Sequence, residues 1–147
     1  MPFQNELNVI RWKLHLKSSP QNIYQLLSTN EGRARFWAES AIEQDGMIHF
    51  MVPNQAQWKG KILENEPPHK FKLEYYGGSI TTFELDPAGS DGTDLTLTDQ
   101  GVPAEDRLEV IAGWVSVLMA LKASVDFGID LRNHDPKRTW DDGYTEN

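Results

Sequence analysis

The stretch VPAEDRLEVIAGWVSVLMALKASVDFGI, residues 102–129, decides the fold of this 147-residue chain. Its apolar residues recur at helical spacing, and Pro103 suits the first turn of a helix, where the backbone N–H needs no partner. The apolar residues form two adjoining stripes, which begin at Leu108 and at Val110. A surface this broad predicts a helix of roughly 40 Å that is buried over much of its circumference.

A segment near the start of the chain predicts a strand of matching length. In ELNVIRWKLHLK, residues 6–17, apolar side chains alternate with polar ones from Ile10 onward. A period of two is typical of an amphipathic strand, which would run about 40 Å at roughly 3.3 Å per residue. The helix predicted from Pro103 to Phe127 can therefore lie along the inner face of a sheet that contains this strand.

Between these two elements the sequence predicts two short helices and six further strands. Ser19 can cap a helix that Pro20 begins, and residues 30–37 predict a second, shorter helix. Turn signals such as Asp45-Gly46 and Gly77-Gly78 separate the strand-like segments, which favours an antiparallel meander. Those segments are residues 38–44, 47–52, 57–66, 70–76, 79–86 and 93–100. The predicted fold class is α+β: a curved antiparallel sheet wraps a long C-terminal helix, and two short helices follow the first strand.

The composition excludes several classes of function. The net charge of −8 argues against a nucleic-acid binder and against docking on anionic lipid, because both need clustered Lys and Arg. Without cysteine there are no disulfides, thiol nucleophiles or Cys-ligated metal centres. The N-terminus has no apolar signal core, and no apolar run approaches the ~20 residues that a membrane span needs. We expect one soluble, cytoplasmic domain over residues 1–147, with a core of about 6–130 and a polar tail of 131–147 that Trp140 and Tyr144 pin to the surface.

Several local sequences, taken in order, resemble one family. They are WKLHLKSSPQNIYQLL (12–27), Phe36-Trp37, WKGKILENEPPHKFKLEY (58–75), GTDLTLTDQGVP (92–103) and GWVSVLMALKASVD (113–126). Together they resemble the helix-grip architecture of the START-like, or birch-pollen-allergen-like (SRPBCC), superfamily. Within it they are similar to the branch named after the activator of the heat-shock protein 90 ATPase. The resemblance spans about residues 7–130 and implies a cavity between helix and sheet.

The resemblance further implies that this cavity binds an apolar or amphipathic small molecule. Aromatic walls bury large ligand surfaces, and Tyr or Trp can add one orienting hydrogen bond. Gly60 would permit a close backbone approach or extra bending of its strand. The alternative is that the same side chains fill an ordinary core. The candidate ligand-binding residues are Trp12, Phe36, Trp37, Phe50, Trp58, Ile62, Leu73, Tyr75, Phe83, Trp114 and Leu118.

Polar residues offer a weaker case for chemistry, and no catalytic residue, metal or cofactor is expected. Glu64, Glu84 and His49 are the candidates for a catalytic role if their side chains point inward. A carboxylate facing an apolar cavity would have a raised pKa, whereas the favoured alternative is a carboxylate in water. The four histidines have no close metal-ligand spacing. A further acidic group is interpreted as a solvated face: Asp99, Asp106 and Glu109.

Two other functions compete with ligand binding. The branch resemblance implies a chaperone co-factor that stimulates a heat-shock protein 90 type ATPase. Members of the superfamily also include cyclases and other enzymes, so a cyclase- or hydrolase-like activity is the third hypothesis. The sequence predicts neither a nucleic-acid partner nor membrane insertion, and it does not determine the oligomeric state.

Overall fold

The computed structural model describes residues 4–54, 56–90 and 92–147. The strands are β1 Val9–Leu16, β2 Ser40–Gln44, β3 Met47–Met51, β4 Gln57–Glu66, β5 Lys70–Glu74, β6 Ile80–Pro87 and β7 Thr93–Gln100. The helices are α1 Pro20–Ser28, α2 Asn30–Ala34 and α3 Arg107–Phe127. The strands form one curved antiparallel sheet in the order β1-β7-β6-β5-β4-β3-β2, so the first strand pairs with the last. The predicted α+β helix-grip fold is confirmed.

The two short helices follow the local signals of the sequence. The Ser19 hydroxyl accepts a hydrogen bond of 3.2 Å from the backbone N–H of Asn22 and caps α1, as predicted. The Thr29 side chain caps α2 in the same way by accepting from the N–H of Gly32. A Cβ at Gly32 would lie 2.5 Å from the Cα of Leu26, so glycine lets α2 pack directly against α1.

The long helix α3 is fixed to β1 at two levels. The Trp12 indole N–H donates to the carbonyl oxygen of Ile111 at 3.2 Å. Toward the other end of the helix, the Asp126 carboxylate accepts from the backbone N–H groups of Lys17, at 2.9 Å, and of Ser18, at 3.1 Å. Helix and first strand therefore run alongside each other, with α3 held on the inner face of the sheet.

The prediction that α3 is buried over much of its circumference is wrong. Leu118 and Leu121 are buried against the sheet, whereas Leu108 is 82 % exposed and Val115 is 40 % exposed. The sheet covers only one side of the helix, and the described residues place no second layer on its other side. By length and composition the segment Ala104–Phe127 could cross a bilayer, but a helix packed on the sheet of a soluble protein meets the same criteria.

Strand β4 contains two backbone features that the neighbouring strand β5 explains. A Cβ at Gly60 would lie 2.1 Å from the carbonyl oxygen of Glu74, so the predicted close backbone approach is confirmed. Between Ile62 and Glu64 the pairing with β5 shifts register at a bulge. A bulge changes which side chains face the core, because it inserts an extra residue into the alternation.

Candidate ligand-binding site

A cavity of about 370 Å³ lies between the N-terminal half of α3 and the sheet. Residues 52–54 and 56, which connect β3 to β4, form one side of its mouth, and the C-terminal tail forms another. Four of the residues predicted from the sequence line it, and all four are aromatic: Trp37, Trp58, Tyr75 and Trp114. The cavity thus lies at one end of the interface between helix and sheet.

The four aromatic side chains form a connected wall. The ring centroid of Tyr75 lies 5.0 Å from that of Trp114, 5.7 Å from that of Trp58 and 5.8 Å from that of Trp37. The Trp37 indole N–H donates to the Tyr75 hydroxyl at 3.0 Å. Burial raises the pKa of Tyr75 well above its usual value, so the hydroxyl remains protonated at neutral pH. Because each ring contacts several others, the wall is preformed and does not need a ligand to order it.

The indole nitrogen of Trp58 is a donor without an acceptor. It is buried, and none of the described residues accepts a hydrogen bond from it. The ring itself is held in place, because it stacks on Phe50 with the centroids 5.3 Å apart and meets Tyr76 edge-on. An unsatisfied buried donor is unfavourable by about 1–3 kcal/mol. Its position in the cavity wall suits a ligand or water that offers an oxygen or nitrogen acceptor.

The other seven predicted residues do not line this cavity. Phe36 borders a separate hollow of about 30 Å³. Trp12 and Ile62 are partly buried and pack against the core. The remaining four are fully buried core residues: Phe50, Leu73, Phe83 and Leu118. Phe50 and Phe83 contact the wall from behind, since their rings lie 5.1 Å and 5.3 Å from that of Trp37.

The most buried polar group of the cavity is Asp99, and its interpretation as part of a solvated acidic face is wrong. Its side chain is completely buried and lines the cavity. One carboxylate oxygen accepts from the Thr81 hydroxyl at 3.0 Å and the other from the Trp114 indole N–H at 2.9 Å. Burial raises the pKa of Asp99, while hydrogen bonds from Trp114, Ser79 and Thr81 oppose that rise. The alternation of β7 could have revealed this position, because Asp99 continues the inward-facing series of Leu95 and Leu97.

The mouth of the cavity is acidic and partly covered by the tail. Asp106 and Glu109, in the first turns of the final helical segment, lie on one side of it. The short helical turn Trp140–Asp142 lies across it, where the Trp140 indole N–H donates to Glu109 at 2.9 Å. The Asn54 amide donates to the Asp141 carboxylate at 2.7 Å on the opposite side. The tail therefore bridges α3 and the β3–β4 connection.

The polar residues considered for catalysis face away from the cavity. The bulge in β4 turns Glu64 outward, where its carboxylate lies 2.9 Å from the Lys70 ammonium group. That hydrogen bond lowers the pKa of Glu64. Glu84 is exposed on the outer face of β6, and His49 alternates with the buried side chains of β3. Within the described ranges no three His, Cys, Asp or Glu side chains cluster closely enough to hold a metal ion.

A curved antiparallel sheet that grips one long C-terminal helix, with a cavity between them, defines the class of START-like domains. The family model described as "Activator of Hsp90 ATPase homolog 1-like protein" matches residues 17–126. The chain belongs to this family, as the sequence motifs predicted. No protein with curated annotation matches the chain.

Solved structures with the same fold come from several bacteria. Protein SSP2350 from Staphylococcus saprophyticus is 21% identical with a TM-score of 0.73, and the match covers 84% of this chain and 96% of that one. A structure described as the Aha1 dimer from Colwellia psychrerythraea is 20% identical with a TM-score of 0.74, covering 82% and 97%. An AHSA1-like protein from Aeromonas hydrophila is 15% identical with a TM-score of 0.70, covering 82% and 93%. At these identities the likeness shows the fold alone.

Proposed function

We propose that the chain binds an apolar or amphipathic small molecule in the cavity of about 370 Å³ between α3 and the sheet. The observation that supports this most is the preformed aromatic wall of Trp37, Trp58, Tyr75 and Trp114. Ligand pockets are typically clefts of about 300–1,000 Å³ with apolar and aromatic linings and a few polar groups. Here Asp99 and the indole N–H of Trp58 are such polar groups.

In this proposal the predicted site residues divide into two sets. The four wall residues contact the ligand directly. Of the other predicted residues, Phe50 and Phe83 hold the ring of Trp37 in position from behind. Trp12 fixes α3 to β1 through its hydrogen bond to Ile111, at a distance from the ligand. Substitutions in the first set should weaken binding, whereas substitutions in the second should mainly weaken folding.

A substitution at Gly113 tests the proposal without removing any contact. Gly113 lines the cavity from α3, and a Cβ there would meet no atom within 4 Å. Gly113→Leu should therefore fill the cavity, and it also replaces glycine by a good helix former, which favours the helix by roughly 0.5–1 kcal/mol. The matched control is Ala112→Leu, because Ala112 is the preceding residue on the exposed side of the same helix.

The experiment begins with a thermal-shift panel of fatty acids, isoprenoids and polyketide-like aromatics. Each compound that raises Tm is then titrated calorimetrically into the wild type and the two variants. We expect Gly113→Leu to weaken binding at least tenfold, while Ala112→Leu binds like the wild type. The proposal fails if no compound binds, or if the Gly113→Leu variant binds as tightly as the wild type.

A chaperone co-factor is the second candidate, and the family match favours it. The family is named for activation of the Hsp90 ATPase, and residues 17–126 carry the match. The test is an ATPase assay of the Hsp90-type chaperone from the same organism with increasing amounts of this protein. An unchanged rate at saturation would reject this candidate.

The enzyme hypothesis is not supported by the residues proposed for it. None of the three lies at the cavity: Glu64, Glu84 and His49. A cytoplasmic location stays a prediction.

A further inference from the structure

The cavity is unusual in the sign of its charges. Four of its lining residues carry carboxylates, whereas none of the lining residues in the described part of the chain is Lys, Arg or His. Asp99 lies at the buried end, and three carboxylates lie near the mouth: Asp106, Glu109 and Asp141. The positive end of the final helix is also near the mouth, but it amounts to only about half a charge, which Asp106 and Glu109 outweigh.

The walls of the same cavity are largely aromatic side chains. Four tryptophans and Tyr75 line it: Trp37, Trp58, Trp114 and Trp140. Indole and phenol rings attract a cation placed over their faces within about 6 Å of the ring centroid, and the attraction grows when the cation is desolvated. Tryptophan is the strongest of these partners. Aromatic walls and carboxylates thus favour the same sign of ligand charge, and they do so through independent interactions.

Asp99 has unused capacity to meet such a ligand. Its oxygens accept from Thr81 and Trp114, and a carboxylate offers about four acceptor sites in all. Its hydrogen-bonding neighbours are Trp114, Ser79 and Thr81, which are all uncharged. Among the described residues Asp99 therefore has no cationic partner. A buried carboxylate that has only neutral donors gains most from a ligand that supplies the missing positive charge.

From these observations we infer that the ligand is an organic cation: an amine or quaternary ammonium group on an apolar body, with the charged group near Asp99 and the body against the aromatic wall. The inference rests on the proposed function and deepens it. Fatty acids and other anionic amphiphiles are disfavoured, because their carboxylate would enter a cavity to which the described residues contribute four carboxylates and no basic side chain. The net charge of −8 adds a longer-range attraction for cations.

The test compares three probes that share one aromatic body and differ in charge. They are (1-naphthylmethyl)trimethylammonium, the neutral 1-naphthylmethanol and the anionic 1-naphthylacetate. Each is titrated calorimetrically into the full chain at low ionic strength and again at high salt. We expect the cation to bind at least tenfold more tightly than the neutral probe and the anion to bind most weakly. The advantage of the cation should shrink with added salt, though not vanish, because Asp99 is buried.

Two carboxylates of the same strand provide a matched pair of variants. Asp99→Asn keeps the shape of the side chain and removes its charge. Asp94→Asn makes the same change in net charge, but Asp94 is exposed on the outer face of β7 beside His15. We expect Asp99→Asn to reduce the affinity for the cation at least fivefold with little effect on the neutral probe, and Asp94→Asn to change neither. Asp106→Asn, at the mouth, should reduce the affinity for the cation by about twofold. It replaces Asp99→Asn in the test if that variant does not fold.

The outcomes separate this inference from the proposed function. Neutral or anionic probes that bind as tightly as the cation would overturn the inference and leave the proposal of a ligand cavity standing. Equal effects of Asp99→Asn and Asp94→Asn would overturn it as well, because the cation would then respond only to net charge. If neither these probes nor the thermal-shift panel bind at all, the proposed function itself fails.

Discussion

The two ends of α3 meet the same sheet in different ways. At the C-terminal half, Leu118 and Leu121 are buried against the sheet in a closed core. At the N-terminal half, Gly113 and Trp114 border a cavity of about 370 Å³. The local difference is side-chain volume: glycine on the helix leaves space that leucine fills elsewhere. One helix can therefore stabilise the fold with one half and leave room for a ligand with the other.

We call the C-terminal half of α3, with its buried core, the closed half, and the N-terminal half, which borders the cavity, the open half. The largest effect expected from this comparison is on the free energy of unfolding, in the closed half. Leu121→Ala should lower the free energy of unfolding by about 2–5 kcal/mol, since it removes a fully buried side chain and leaves a void. Val110→Ala, in the open half, should cost under about 1.5 kcal/mol, because Val110 is only partly buried beside the cavity. Urea unfolding of both variants measures the difference. Equal losses would show that the two halves are packed alike.

The next effect is the loss of the buried carboxylate of Asp99 in the open half. Asp99→Ala removes the acceptor for the Trp114 indole and the Thr81 hydroxyl, so both donors lose a partner. The expected loss is about 1–3 kcal/mol in the free energy of unfolding. Asp94→Ala, on the outer face of the same strand, should change it by under about 0.5 kcal/mol. A small effect of Asp99→Ala would mean that water replaces the carboxylate without penalty.

A smaller effect, in which two contributions oppose each other, is expected at Trp58. Trp58→Phe removes the buried N–H that has no acceptor among the described residues and keeps an aromatic ring against Phe50. Removing the unsatisfied donor should stabilise the fold, whereas the smaller ring should destabilise it. We therefore expect the free energy of unfolding to change by less than about 1 kcal/mol in either direction. Affinity for a ligand that accepts from the indole should nevertheless fall. Loss of stability above about 2 kcal/mol would show that the donor is satisfied in solution.

The smallest effect concerns the tail that covers the open half. His134 lies between two carboxylates, with its ring nitrogens 2.5 Å from Glu39 and 2.7 Å from Asp130. The hydrogen bond to Asp130 is the main cause that raises the pKa of His134 above 6.5, and the bond to Glu39 adds to it. A pKa raised by folding stabilises the folded state fully below the unfolded pKa, and the contribution is lost as pH rises through the folded value.

We therefore expect His134→Gln to lower Tm relative to the wild type below about pH 6, and the difference to vanish at alkaline pH. The pair is partly exposed, so the effect should stay below about 1 kcal/mol. Thermal unfolding of both proteins across this pH range gives the comparison. A difference in Tm that does not change with pH would contradict the role of the charged imidazole.

The sequence predicted the fold well because its signals were periodic and local. The alternation of β1, the Ser19 cap and the apolar run of α3 each report on neighbouring residues, and each was confirmed. The exposure of Leu108 was missed, since helical spacing shows that a side is apolar but not whether another element covers it. The family resemblance added an expectation that periodicity does not give, namely a cavity between helix and sheet.

The candidate site was less predictable because it depends on pairing and on packing volume. Glu64 has the same parity as Trp58, which suggested that its carboxylate faces inward. The bulge in β4 reverses the side to which Glu64 points. The sequence of one strand does not show a register shift in its pairing with the next strand. The alternation of β7 predicts that the side chain of Asp99 faces inward, as observed. The wrong interpretation as a solvated residue relied on its charge instead. The tail offered no pattern at all, although Trp140 was correctly expected to contact the body of the protein.

The central claim is that small molecules enter the open half of the helix–sheet interface, and the indole N–H resonances of the protein test it most directly. Five tryptophans give five signals, and four of them line the cavity whereas Trp12 does not: Trp37, Trp58, Trp114 and Trp140. At saturation with neutral 1-naphthylmethanol, we predict large shifts for the four cavity indoles and none for Trp12. Binding that shifts Trp12 and leaves the cavity indoles unchanged would contradict the account.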